Sequence, residues 1–259
     1  MNDITTMRLL PGTANQRCLP VRWMSSTGNH MSLKAELDAC RRAFEASTPP
    51  GIVAALHGSV AELVQTGLVR QAVKAGEKAP LFRLRSGTGD FVALSGALGR
   101  GPVVVSFFRG GWCPFCRVEL QALAKARAQI ERLGATLIGL SPLPNAGNSS
   151  SFLILTDPGC RIAVRYRIAF TVVPQFRPAY LALGYPERSE KGPDRWVLPL
   201  PATYIIDRDG IVVLSYVDAD YTTRLEPTEI AVALAHLRAR ANPGSSVYRL
   251  SNIPVGNNR

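Results

Sequence analysis

Two cysteines three positions apart, Cys113 and Cys116, lie in the segment Phe107-Phe108-Arg109-Gly110-Gly111-Trp112-Cys113-Pro114-Phe115-Cys116-Arg117-Val118. An apolar stretch from Pro102 to Phe108, interrupted only by Ser106, precedes it, and a helix-patterned segment to Leu133 follows. The spacing predicts a buried strand that hands over to the first turn of a helix. Free backbone N–H groups and the positive end of the helix dipole meet there, and both favour a thiolate over a thiol. Arg109 and Arg117 add positive charge nearby. Such a pair can close a disulfide or act as attacker and resolver. It can also be half of a zinc site, or two inert buried thiols. Zinc would need two more ligands, and Cys18, Cys40, Cys160, His30, His57 and His236 are scattered without a second close pair.

The elements around the pair read from periodicity. Pro114 suits a first helical position. Phe115, Val118, Ala122, Leu123, Ala126, Ile130 and Leu133 recur at helical spacing, and Gly134 is a stop. A hairpin is expected from Phe82–Arg85 and Phe91–Leu94, and buried strands from Ala135 to Leu140 and Phe152 to Leu155. A short helix follows at Ile162–Ile168, with Cys160 at its entrance as a further candidate resolver. Strands Thr203–Asp207 and Ile211–Tyr216 turn about Arg208-Asp209-Gly210, and a helix runs from Pro227 to Ala241. Strands alternating with helices predict an α/β sheet covered on both faces. Two helices, Leu33–Ala46 and Ile52–Leu68, form an N-terminal extension that would cap the sheet or make a homodimer contact. Cys40 on the first reads as packing, and His57 on the second as a surface residue.

Two stretches fit this layout less well. Ser141 to Ser151 is short and polar where a helical crossover between parallel strands is usual. Phe170 to Pro199 is aromatic and proline-rich, and reads as a loop inserted to wall the approach to the cysteines. Asp207, Asp218 and Asp220 read as turn and capping residues, not a metal cluster.

Composition sets bounds. The chain has 259 residues, 46% of them hydrophobic, and a net charge of +11. The basic residues are spread out, with no basic run or nucleic-acid motif, so no nucleic-acid partner is expected. No apolar run approaches a membrane span. Five cysteines without a framework spacing argue against a disulfide-stapled secreted domain and for a reducing cytoplasm. The expected organisation is an over-called or unstructured stretch at 1–30, the helical extension at 31–74, the main domain at 75–241 and a flexible tail at 242–259. The basic N-terminus, poor in acidic residues, is also similar to a transit peptide, and Met24 or Met31 are alternative starts.

The longer frame Val103 to Leu120 resembles the peroxiredoxin-like branch of the alkyl hydroperoxide reductase C/thiol-specific antioxidant (AhpC/TSA) family, and Trp112-Cys113-Pro114-Phe115-Cys116 resembles a thioredoxin-type active site. Ala75–Phe82, Leu155–Gly159, Leu200–Gly210 and Asp218–Pro227 are similar, in order, to further segments of the family. The resemblance implies a thioredoxin-like fold with a central mixed sheet. It implies a thiol peroxidase without cofactor or metal, with Cys116 peroxidatic and Cys113 resolving. Arg109, Trp112, Pro114, Glu119 and a cis-proline at Pro201 would support the thiolate. A hydroperoxide would be the substrate, and a thioredoxin-like protein or small thiol the reductant.

Where the family carries Pro-x-x-x-Thr/Ser-x-x-Cys, this chain has Arg109, Cys113 and Cys116, and the family's later arginine falls on Pro201. The alternatives are a thiol–disulfide oxidoreductase with Cys113 as nucleophile, or a redox-inactive interaction module.

Overall fold

The computed structural model describes residues 31–144, 152–186 and 196–241. The expectations for 1–30, with Cys18 and His30, for most of the 141–151 crossover and for the 242–259 tail lie outside them. In chain order, three helices open the fold: α1 (Leu33–Ser47), α2 (Pro50–Thr66) and α3 (Leu68–Gln71). The hairpin β1 (Arg83–Arg85) and β2 (Phe91–Ala93) leads through α4 (Leu94–Leu98) to β3 (Val103–Phe107) and α5 (Pro114–Arg132). Next come β4 (Thr136–Ser141), β5 (Leu153–Thr156), α6 (Arg161–Arg165), β6 (Ala169–Thr171), α7 (Arg177–Ala182) and β7 (Val197–Pro199). The chain then forms β8 (Ala202–Ile206), β9 (Val212–Val217) and α8 (Pro227–Ala241).

The central sheet has the order β5-β4-β3-β8-β9. β3 pairs parallel with β4 and antiparallel with β8, so the sheet is mixed, as expected. Every residue of β3 is buried, which is why it reads as an apolar run and not as an alternation. Its pleat still divides the core in two. Val104 and Phe108 face a layer holding α1, α5, α7 and α8, whereas Val103, Val105 and Phe107 face the layer of α4 and α6. By the same alternation Ser106 points at α5, and this explains the one polar residue in the strand.

Local chemistry sets the helix ends. Ser32 caps α1 through Ala35 N, and the Glu226 carboxylate accepts from Leu33 N and Lys34 N at 3.1 and 2.7 Å, so the start of α1 is held by the entrance to α8. α2 stops before Gly67, whose φ of 67° is left-handed, so the single expected helix to Leu68 divides into α2 and α3. Among the N-terminal helices, α1 packs on α5 and α2 on α7.

Of the 170–199 stretch, 187–195 lie outside the described residues, and the parts on either side carry regular elements where its prolines suggested a loop. β6 pairs antiparallel with β7 across the insertion, and α7 begins with Pro178 in its first turn. That pairing joins residues nearly thirty positions apart, so local periodicity carries no trace of it. No cis peptide bond occurs among the described residues, so Pro201 is trans, contrary to what the resemblance implied.

Leu123 lies on the inner face of α5 and is 1% exposed. Leu123→Ala is expected to lower unfolding free energy by about 2–5 kcal/mol in urea titration. Val64→Ala, at a site 59% exposed, should change it by no more than about 0.5 kcal/mol.

Candidate active site

β3 ends at Phe107, and the chain turns through Arg109-Gly110-Gly111-Trp112 into α5. Gly110 has a φ of 135°, and a Cβ there would stand 2.8 Å from the Trp112 ring, so only glycine serves this turn. Cys113 N donates to Gly110 O at 3.2 Å and closes the turn. Cys113 is then the N-cap of α5 and Pro114 its first residue, as the sequence predicted. Cys116 sits one turn in. Both thiols are free and buried, at 2% and 0% exposure.

Three charged side chains meet the sulfurs, all buried. Arg224 Nη2 donates to Cys116 Sγ at 3.4 Å, and Arg224 Nε to Glu119 Oε2 at 2.5 Å. Arg224 Nη1 donates to the carbonyls of Tyr221 and Thr223, both at 2.6 Å, so the guanidinium is held on every side. Glu119 also accepts from Ser106 Oγ at 3.1 Å, the contact that the pleat of β3 prepares. Arg109, the third, lies under three rings, with its guanidinium carbon 5.0, 4.8 and 4.6 Å from those of Trp112, Tyr180 and Tyr221.

These charges set the protonation of the pair. Burial pushes the Cys113 thiol up. The neighbouring Cys116 thiol, Arg109 and Arg224 outweigh it and bring Cys113 down to about 6. Burial pushes Cys116 well above the usual thiol range, and the charge on Cys113 pushes it further, against the pull of Arg224. Burial raises Glu119 as well, opposed mainly by Arg224. Arg224 is raised because Glu119 and the sulfurs outweigh burial. These shifts favour the thiolate at Cys113 over Cys116.

Around this centre stands an aromatic wall. Trp112 Nε1 donates to Arg109 O at 3.1 Å, and the Trp112 ring packs against Tyr180 and Tyr185. Tyr185 packs in turn on Trp196. Tyr180, Tyr185 and Trp196 all come from the 170–199 insertion, so that segment covers the Trp112 side of the pair. Phe115 meets Phe44 of α1 and Tyr221, which ties the helical extension to the site.

The structure brings Arg109, Trp112, Pro114 and Glu119 to the cysteines. Pro201 is buried at the start of β8, where its carbonyl accepts from Asp218 N at 3.3 Å. Arg117 donates to Gly111 O at 3.0 Å. Cys160 lies in the core layer on the opposite face of the sheet, its thiol directed to Val197 O. That position removes it as a resolver. Cys40 packs in the α1–α5 layer, and His57 is exposed beside Glu45.

The residue that sequence reasoning missed is Arg224. It does for Cys116 what the arginine expected near Pro201 would have done, and it comes from a different element, the turn before α8. Asp218 and Asp220 act as turn residues there, accepting from Asp220 N and Thr222 N. Its only signal was its place in the Asp218–Pro227 match, as one arginine among many.

A buried dithiol at a strand-to-helix turn, beside two arginines on a mixed five-stranded sheet, defines a thioredoxin-fold oxidoreductase. Residues 75–215, more than half of the chain, match the AhpC/TSA family, and the chain belongs to that family as a peroxiredoxin-like member. It is 25% identical over 207 residues to a chloroplastic peroxiredoxin Q of Triticum aestivum, covering 77% of this chain and 87% of the relative. It is 29% identical over 147 residues to that of Sedum lineare, covering 56% and 69%. In fold it resembles a reduced 2-Cys peroxiredoxin of Plasmodium vivax (TM-score 0.51, 19% identity, 70% of this chain and 92% of that one). It also resembles a cysteine-to-serine mutant of the peroxiredoxin 6 of Arenicola marina (TM-score 0.51, 21% identity, 65% and 75%).

Removing one member of the buried ion pair leaves the other uncompensated, so Arg224→Met is expected to cost roughly 3–5 kcal/mol in denaturant unfolding. The double variant Glu119→Gln/Arg224→Met should recover part of that loss.

For Cys113 the folded thiol is depressed, so between about pH 6 and 9 the unfolded chain binds the extra proton. Its contribution to stability is complete above pH 9 and fades as pH falls through about 6. Ultraviolet titration of thiolate absorbance should show one sulfur ionising near pH 6 and the second only well above pH 9.

Proposed function

We propose that the chain is a thiol peroxidase that uses Cys113 and Cys116 as a dithiol–disulfide couple without a cofactor, with Cys113 meeting the hydroperoxide. What supports this reading is the buried Cys113–Cys116 dithiol at the mouth of α5 beside the Arg224 guanidinium; Cys113, at the N-cap and lowered by its neighbours, is the better placed to be the thiolate that such chemistry needs. Its sulfur attacks the distal oxygen of ROOH. The O–O bond breaks, a proton from solvent converts the departing alkoxide to ROH, and Cys113 becomes a sulfenic acid. The Cys116 thiol then displaces water from that sulfur and closes the disulfide. A thioredoxin-like protein or a small thiol restores the dithiol, and a reducing compartment such as the cytoplasm suits the cycle. Entry of substrate requires Trp112 and the rings stacked on it to shift, because both sulfurs are buried.

The resemblance to the family assigns the opposite order, with Cys116 attacking and Cys113 resolving. That order needs the shared proton to pass from Cys116 to Cys113 first, and Arg224, 3.4 Å from Cys116 Sγ, is the group that would stabilise the result. A second reading, protein disulfide reduction by Cys113, is favoured by the Trp112-Cys113-Pro114 cap on the helix.

Reduced protein mixed with equimolar hydroperoxide, with sulfenic acid trapped and mapped by mass spectrometry, separates these cases. Cys116→Ser should accumulate a trapped sulfenic acid at Cys113. Cys113→Ser should react more slowly than wild type at pH 7, because burial still holds the remaining Cys116 thiol up. First oxidation at Cys116 in Cys113→Ser, at the wild-type rate, would assign attack to Cys116. Unoxidised wild type that nevertheless reduces insulin-type disulfides would replace the peroxidase reading with the second one.

A further inference from the structure

Arg109 stands where the family's proline is expected, and the peroxidase mechanism uses only its charge. Its side chain is 1% exposed, yet Nε and Nη2 have no hydrogen-bond partner among the described residues. The three rings around it lie against the guanidinium, and neither N–H on that edge meets an acceptor. A buried cationic donor left unpaired is costly, and such groups in native proteins commonly mark the place of a missing partner. Nε and Nη2 form one edge of the guanidinium, with two parallel N–H bonds spaced to fit the two oxygens of a carboxylate.

We propose that this edge is a carboxyl subsite in the pocket of the cysteine pair, and that the substrates handled best are small peroxycarboxylic acids, RC(O)OOH. The inference rests on the peroxidase reading and names its substrate class. The Cys113 thiolate attacks the distal oxygen. The sulfur's electron pair forms the S–O bond, the O–O pair leaves with RC(O)O⁻, and the peroxyacid's own proton stays on the sulfenic oxygen. Atoms and charge balance without any outside proton.

The buried site keeps its charge as well. Before attack the thiolate offsets Arg109, and after it the carboxylate held on the Nε–Nη2 edge does so. An alkyl hydroperoxide lacks this advantage. Its alkoxide must be protonated from solvent, which leaves Arg109 uncompensated among aromatic rings.

The test compares rate constants of the reduced wild-type protein for peracetic acid and tert-butyl hydroperoxide, each divided by that of a free small thiol. The ratio cancels the thiolate fraction, which Arg109 also influences. Wild type is expected to favour peracetic acid over the free-thiol ratio by roughly ten- to one-hundredfold, the range for hydrogen bonds to a charged group. Arg109→Lys keeps the charge but not the paired edge, and Arg109→Gln keeps neither. Both should bring the ratio back to that of the free thiol.

Should neither variant fold, wild type decides alone: acetate should slow the tert-butyl hydroperoxide reaction competitively, and acetamide should not. A wild-type ratio equal to that of the free thiol, or one that survives both substitutions, overturns the subsite while the peroxidase reading stands. Reaction with neither oxidant overturns both.

Discussion

Arg109 and Arg224 place two positive charges inside the protein within reach of two sulfurs, and among the described residues one buried carboxylate, Glu119, answers them. Burying a cation is costly unless something of opposite sign is close and well oriented. Glu119 satisfies Arg224. The remaining positive charge favours ionisation of Cys113, whereas burial and a neighbouring anion disfavour it at Cys116.

The scaffold enforces that count through ordinary backbone geometry. The pleat of β3 sends Ser106 toward α5, where it fixes Glu119, and sends Val105 and Phe107 into the opposite core layer. The left-handed backbone at Gly110 lets the chain leave the strand and enter α5 within a few residues. That places Cys113 at the helix mouth and folds Trp112 back over Arg109. The turn before α8 carries Arg224 in from the far end of the domain, held by its own neighbouring carbonyls. The insertion and α1 then close the sides with Tyr180, Tyr185 and Phe44, and this dry surrounding strengthens every charge interaction within.

In the proposed cycle, closing a Cys113–Cys116 disulfide would remove the thiolate and leave the positive side of this buried pocket in excess. The aromatic wall, built from rings stacked on one another and on Arg109, is the part whose packing depends most directly on that charge.

Much of this was legible in the chain itself. The apolar run, Pro114 and the helical spacing to Leu133 determined a strand, a helix and a cysteine pair at their junction, because short-range sterics and period alone decide those features. The Arg208-Asp209-Gly210 hairpin and the terminal helix from Pro227 were equally local. Tertiary structure decided what depends on distance across the fold: the arrival of Arg224 at Cys116 and the placement of Cys160 on the other face of the sheet. It also decided that β6 and β7 pair across the insertion. Sequence spacing records which residues are neighbours along one element. Charge compensation and burial are settled only when separate elements pack, and for this reason Arg224 could not be told in advance from the other arginines.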